Sequence, residues 1–268
     1  MAYITNFRYY LDKVKKRDLI MSISANDNNI KVWNINIWEC LIDIKNIYKN
    51  GFLNSGCFLN DNNNIYIVSS NFNYCIFEPI KIFDLNGNEI KKLENSTEKI
   101  YFIDSYYDKI LSKNYIFTGN IGYVKSYDYN ENKIYHKYED NHQRLHYTII
   151  IYINKENIVK LLASSADGNV RIWNFHSGEL LNKIKVSNKG LNSLFLLNNN
   201  YLFVGCDDKT IRVIELENEI IVDLITVNQN IITIKGISDT LIGDILLFQG
   251  LQNIPIKILL IYPKKFIN

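Results

Sequence analysis

The residues able to do chemistry are few and scattered. The four histidines are His136, His142, His146 and His176, and they form neither an HExxH nor an HxH pair. The four cysteines, Cys40, Cys57, Cys75 and Cys206, form no CxxC. A zinc centre needs ligands spaced that closely on a turn or helix, so no metal site is expected. There is no GxSxG elbow and no GxxxxGK[ST] phosphate loop; Gly119-Asn120-Ile121-Gly122 is a lone glycine pair on a turn. Asp104 is the main acid inside the long apolar runs, and one acid cannot chelate calcium, which takes roughly six to eight oxygens. No cofactor and no enzymatic activity are expected.

The elements that carry these residues repeat. Six times the chain places an apolar, a basic, a third and then a large residue in a row. The six are IKVW (Ile30–Trp33), IKIF (Ile80–Phe83), VKSY (Val124–Tyr127), VRIW (Val170–Trp173), IRVI (Ile211–Ile214) and IKIL (Ile256–Leu259). The fourth positions are 33, 83, 127, 173, 214 and 259, giving steps of 50, 44, 46, 41 and 45. A period of roughly 40–45 residues is that of a four-stranded propeller blade. The fourth unit shows the plan. Apolar runs Leu145–Ile153, Val159–Ser164, Val170–Asn174 and Glu179–Val186 alternate with turns such as Asp167-Gly168-Asn169 and His176-Ser177-Gly178. Four short strands with tight polar turns make an antiparallel meander. In the second unit Asn86-Gly87 is a strong hairpin signal between Ile80–Asp84 and Glu89–Leu93. The fold class is therefore all-β: a β-propeller of about six four-stranded antiparallel blades, with residues 1–268 as one domain. One meander cannot bury both its faces, whereas sheets packed side by side can.

Bulk properties narrow the function classes. Of 268 residues, 47% are hydrophobic, enough for a large core. Thirty basic and 28 acidic residues give a net charge of +2. That balance argues against a dedicated nucleic-acid or membrane-surface binder. Sparse cysteines point to free thiols in a reducing compartment, so an intracellular, cytoplasmic location is expected. The stretch MAYITNFRYYLDKVKK does not read as a basic-then-apolar leader, and no uncharged apolar run nears the ~20 residues of a membrane span, so a soluble chain is expected.

The stretch LLASSADGNVRIWNFHSGELLNKI (Leu161–Ile184) resembles the WD40 repeat of the WD-repeat β-propeller family, through Ser165, Asp167, Val170, Arg171, Ile172, Trp173, Asn174, Gly178 and Glu179. ISANDNNIKVWN resembles it through Asp27, Lys31 and Trp33; GCDDKTIRVIEL does so through Asp208 and Arg212, with Ile214 where tryptophan is usual. The second, third and sixth units match less well, and the third has Ile121 in place of the turn aspartate. The resemblance implies a structural polar set within a blade, which the fourth unit alone can offer in full: His142, Ser165, Asp167 and Trp173. It also implies closure of the last blade by a strand from the chain's start. Here Tyr3–Leu11 already serves the first unit, so either Lys264–Asn268 forms a poor fourth strand or the chain is part of a longer protein.

The family resembled binds other proteins and peptides through rim loops, and a non-catalytic interaction scaffold is the expected function. Asn71–Pro79 is longer than its counterparts and holds Phe72, Tyr74 and Phe77, aromatic anchors unless they fold back over the blade edge. Tyr48, Arg144 and Lys189 complete that rim. Trp38 stands on the opposite rim, where the fourth unit has Gly178, and is expected to pack on its neighbours or else to serve as an anchor there. The six motif bases, Lys31, Lys81, Lys125, Arg171, Arg212 and Lys257, are expected to bury their stems and lead their charge to water or a turn aspartate. The alternative function is a small-ligand or nucleic-acid binding propeller using its central channel. Trp173→Ala should cost about 3–5 kcal/mol and Asp167→Ala about 1–3 kcal/mol, read as shifts in a denaturant unfolding midpoint.

Overall fold

Short β-branched runs between asparagine-, aspartate- and glycine-rich turns fold, among the described residues of a computed structural model, into 23 strands in six antiparallel sheets. The structure describes residues 4–49, 51–72, 78–93, 96–227, 231, 233–238, 245–251 and 254–261. The first sheet holds β1 (Ile4–Asp12), β2 (Arg17–Ser24), β3 (Asn29–Asn34) and β4 (Glu39–Ile44). The second holds β5 (Phe52–Asp61), β6 (Asn64–Phe72), β7 (Ile80–Phe83) and β8 (Glu89–Leu93). The third holds β9 (Phe102–Asp108), β10 (Lys113–Gly119), β11 (Tyr123–Asp128) and β12 (Lys133–Glu139). The fourth holds β13 (His146–Ile153), β14 (Val159–Ser165), β15 (Asn169–Asn174) and β16 (Leu180–Lys185). The fifth holds β17 (Leu191–Leu197), β18 (Tyr201–Cys206), β19 (Thr210–Glu215) and β20 (Ile220–Thr226). Three strands, β21 (Thr233–Ser238), β22 (Ile245–Leu251) and β23 (Ile254–Ile261), form the sixth. There is no helix among the described residues.

This is the all-β, four-stranded blade plan of a β-propeller, and each copy of the basic-centred motif lies on the third strand of its sheet. Residues 264–268, which would supply a fourth strand to the last sheet, lie outside the described residues. The chain divides into two compact units, Met1–Lys137 and Tyr138–Asn268.

Within each unit the cores lie between successive sheets. In the first unit β5 sends Leu53 and Phe58 into one core with Leu19, Met21, Ile30 and Val32 of the first sheet. The same strand sends Cys57 and Leu59 into another core with Ile103, Ile116 and Tyr127 of the third. In the second unit Leu202, Val204 and Ile214 pack against Leu162, Val170 and Ile172, while Phe203, Ile211 and Val213 pack with Ile231 and Ile234. An internal sheet is thus apolar on both faces, which is why its strands read as near-continuous hydrophobic runs.

Two irregularities recur. A register shift falls next to the fourth motif residue in four sheets, at Val32/Trp33, Ile82/Phe83, Ile172/Trp173 and Val213/Ile214. In all four the hairpin that follows carries a residue with positive φ just before the outer strand: Trp38 (φ 55°), Gly87 (φ 86°), Gly178 (φ 75°) and Glu219 (φ 56°). This is the three-to-five-residue hairpin whose last turn residue is left-handed and feeds a bulge. A second shift falls near the start of the first strand, at Ile4/Asn6, Leu53/Ser55, His146/Thr148 and Leu191/Ser193.

The tightest backbone approach is at Gly168 (φ 81°). A Cβ there would meet the Ser187 carbonyl oxygen at 2.0 Å, and the Gly168 oxygen itself accepts from the Val186 and Ser187 amides. Gly168→Ala should therefore lower stability by more than about 1 kcal/mol, combining a left-handed penalty with a backbone clash. Calorimetric melting of the purified chain measures it.

Candidate functional site

At the sheet end where the second strand turns into the third, the motif's basic residue meets an acid in every sheet whose side chains are described. The pairs are Lys31–Asp43 at 3.6 Å, Lys81–Glu78 at 3.0 Å, Lys125–Glu98, Arg171–Asp167 at 2.6 Å and Arg212–Asp208 at 2.8 Å. The sixth base, Lys257, has no described side chain. The alternation of a strand explains the pattern: flanking apolar residues point into one inter-sheet core, and the base between them runs along the sheet towards the turn.

The fourth sheet has the strongest version. Arg171 is fully buried, yet its Nη1 and Nη2 donate to both Asp167 oxygens at 3.1 and 2.6 Å, and its Nε donates to Asp140 Oδ2 at 2.8 Å. Lys183 Nζ reaches the same Asp140 oxygen at 2.9 Å. Burial alone would raise the Asp167 pKa, but the Arg171 hydrogen bonds and charge and the Asn169 contacts outweigh it and hold the carboxyl far below its usual range. The two-pronged guanidinium contact locks the turn in one shape. In the fifth sheet Asp208 likewise accepts from Ser187 Oγ at 2.7 Å, tying the fifth sheet's turn to the 187–190 loop.

The four residues expected to form one polar set are not joined in one. Trp173 is buried, but its Nε1 finds no acceptor, nor does Ser165 Oγ find a partner, among the described residues. In the first sheet Trp33 Nε1 donates to Ser22 Oγ at 3.1 Å. The registers explain the difference. Ser22 pairs with Lys31, and the residue paired with the equivalent Arg171 is Ala163, which has no oxygen to offer. Asp27 accepts from Ser24 Oγ at 3.1 Å. His142 contacts His146 instead, Nε2 to Nε2 at 3.1 Å. Because the Arg144 amide donates to His142 Nδ1, the His142 proton sits on Nε2 and is donated to His146. His146, which sequence reasoning passed over, is buried, and burial followed by the His142 and Arg171 charges pulls its pKa down to about 3. Its apolar, β-branched strand context gave no sign of this.

The rim candidates separate. Arg144 and Lys189 are exposed and flank the 165–169 turn: the Ala166 amide donates to the Leu145 carbonyl, and the Lys189 carbonyl lies against Gly168. Tyr48 is no rim contact. It is buried, its hydroxyl donates to the Ser69 carbonyl at 2.7 Å, and Lys81 Nζ sits 4.6 Å from its ring centre, so it plugs the junction of the first two sheets. Trp38 is not packed on neighbours as expected but fully presented to solvent. Tyr74 and Phe77 lie outside the described residues, and of Phe72 the structure describes the backbone pairing with Phe52. Among the described residues no cluster of three or more His, Cys, Asp or Glu could hold a metal, and no helix is long and apolar enough to cross a membrane.

The chain matches the WD40 family model, described as WD domain, G-beta repeat, over residues 178–215. That span runs from the turn before β16 to the end of β19, one strand out of phase with the sheets. No curated protein matches the chain.

The histidine pair makes stability pH-dependent. Unfolded His146 titrates near ~6.5 and folded His146 about 3, so between these values the unfolded chain binds more protons. Stability is full above about 6.5 and falls with acidification, by about 2 kcal/mol from His146 between pH 7 and 5. The downward-shifted His142 adds in the same direction, and Asp167 and Asp140, held low, stay ionised throughout. Urea midpoints at the two pH values should differ in the native chain and differ less in His146→Gln, where only the smaller His142 share remains.

Proposed function

We propose that this chain, which carries a WD40 repeat within an all-β series of four-stranded sheets, is a non-catalytic scaffold that binds other proteins or peptides on its rim turns. WD40 repeats generally mediate protein–protein contacts. The observation that carries the reading is the Asp140–Arg171–Asp167 lock. It fixes a surface turn with a buried cation and leaves Arg144 and Lys189 exposed on either side, a defined platform flanked by charged side chains. Rigid backbone at a docking surface lowers the ordering cost of association. The same sheet plan runs through both units, which supports reading 1–268 as one repeat domain. Free thiols at Cys40, Cys57 and Cys206 support an intracellular setting.

The test compares capture from extract of the source cells by the native chain and by Arg144→Glu/Lys189→Glu. Both side chains are exposed, so the variant should unfold at the same denaturant concentration. Its loss of a specific set of captured proteins, retained by the native chain at raised salt, supports the reading. Identical capture by both chains removes this rim from consideration.

A further inference from the structure

In the first unit the first strands of the three sheets run in the same direction. Asn6, Arg8 and Tyr10 of β1 contact Ser55, Gly56 and Phe58 of β5 in ascending order, and Asn54 and Phe58 of β5 contact Ile100 and Ser105 around β9 in the same way. The turns that follow β1 and β9 therefore leave on one face. The β3–β4 turn joins them, because Asp18 at the start of β2 accepts from Ile35 N through its carbonyl and donates its own amide to Asn36 Oδ1 at 2.5 Å.

These turns have apolar tips. Val14 is 60% exposed, Ile37 61%, Trp38 84%, Ile110 72% and Leu111 47%. Around them stand exposed Lys13, Lys15, Lys16 and Lys109, none with a carboxylate oxygen within 4.0 Å among the described residues. The acids nearby are largely engaged: Asp12 with Arg17 at 2.8 Å, Asp18 with Tyr9 and Asn36, and Asp108 with the Ile110 and Leu111 amides; Glu39 is exposed. The β2–β3 turn at the opposite end, Ala25-Asn26-Asp27-Asn28, is polar.

Trp38 adds an independent sign. It holds φ 55°, a left-handed conformation that disfavours bulky side chains and that glycine fills in the fourth sheet at Gly178. The fold thus accepts backbone strain at a position where the side chain gains no packing in return.

We propose that this face of the first unit docks on an anionic phospholipid surface, the apolar tips entering the headgroup–acyl boundary while the lysines pair with lipid charge. Tips projecting singly from separate turns suit a fluid interface, which needs no matching pocket. Tryptophan is favoured at that depth, and long lysine side chains reach back to the headgroups. The near-zero net charge does not oppose this, because each lysine close to the surface contributes on its own and distant charges are screened. The proposal does not depend on the protein-binding rim, which involves other residues.

The experiment uses the whole chain with phosphatidylcholine vesicles, with and without about a third phosphatidylserine. The chain should sediment with the anionic vesicles, less so as salt rises. Trp38 emission should shift to the blue, since Trp173 is buried and Trp33 half-buried. Trp38→Gly removes the strained side chain, so its melting temperature should stay level or rise while vesicle affinity falls about tenfold or more. Lys13→Gln/Lys15→Gln/Lys16→Gln should lose at least about tenfold at low salt. Absence of anionic-vesicle binding, or Trp38→Gly binding as the native chain does, overturns the proposal. Trp38-dependent association with a protein and none with vesicles overturns it too and assigns the face to that protein.

Discussion

The sheet that lies between two others in each unit, the second and the fifth, is greasy on both sides, and that constraint governs the rest. Residues that alternate along β5 or β18 go to two different cores, so such a sheet gains its stability from the sheets before and after it rather than from itself. The chain must then deliver sheets of equal width at equal intervals, which is the origin of the period near 45 residues. It must also keep polar backbone and charged side chains at the sheet ends, where water can reach them. The belt of base–acid pairs follows from this. A base placed mid-strand between two apolar neighbours reaches along the sheet to an acid near its end; in the fourth and fifth sheets that acid, Asp167 or Asp208, lies in the turn itself and helps to shape it.

Pairing a buried guanidinium with two carboxylates is not obviously stabilising against an apolar replacement, since desolvating the charges offsets much of their attraction. What the Arg171 group does supply is definition: removal of either acid would leave a buried cation short of partners, so the turn has one arrangement. A surface that recognises other chains benefits from that definition more than from extra stability.

The period, the strands and their order were legible because they rest on local pattern. The four strands of the fourth sheet lie within a residue of the apolar runs read from the sequence. The side-chain contacts were less so. Tyr48 lies in a loop by every local measure, and its burial comes from Ser69 and Lys81 of the next sheet, long-range partners that no window contains. The isolated indole of Trp173 was readable in principle, because serine at position 22 and alanine at 163 occupy matching register positions, but that match needs strand pairing to be known. The His142–His146 contact depends on an irregular start to β13, a shift of register that periodicity does not report.

Two-sided sheets also shape how the protein is made. When β4 has left the ribosome, the face of the first sheet that will meet the second still lacks its cover, and about fifty more residues must emerge before β8 completes it. At ~5–20 residues per second that interval is roughly 2–10 s, long compared with hydrophobic collapse. Within each unit a new sheet shelters the last and bares its own far side. Such a chain exposes sticky surface throughout its synthesis, and its yield in a cell should depend on chaperones at the exit tunnel more than the final fold would suggest.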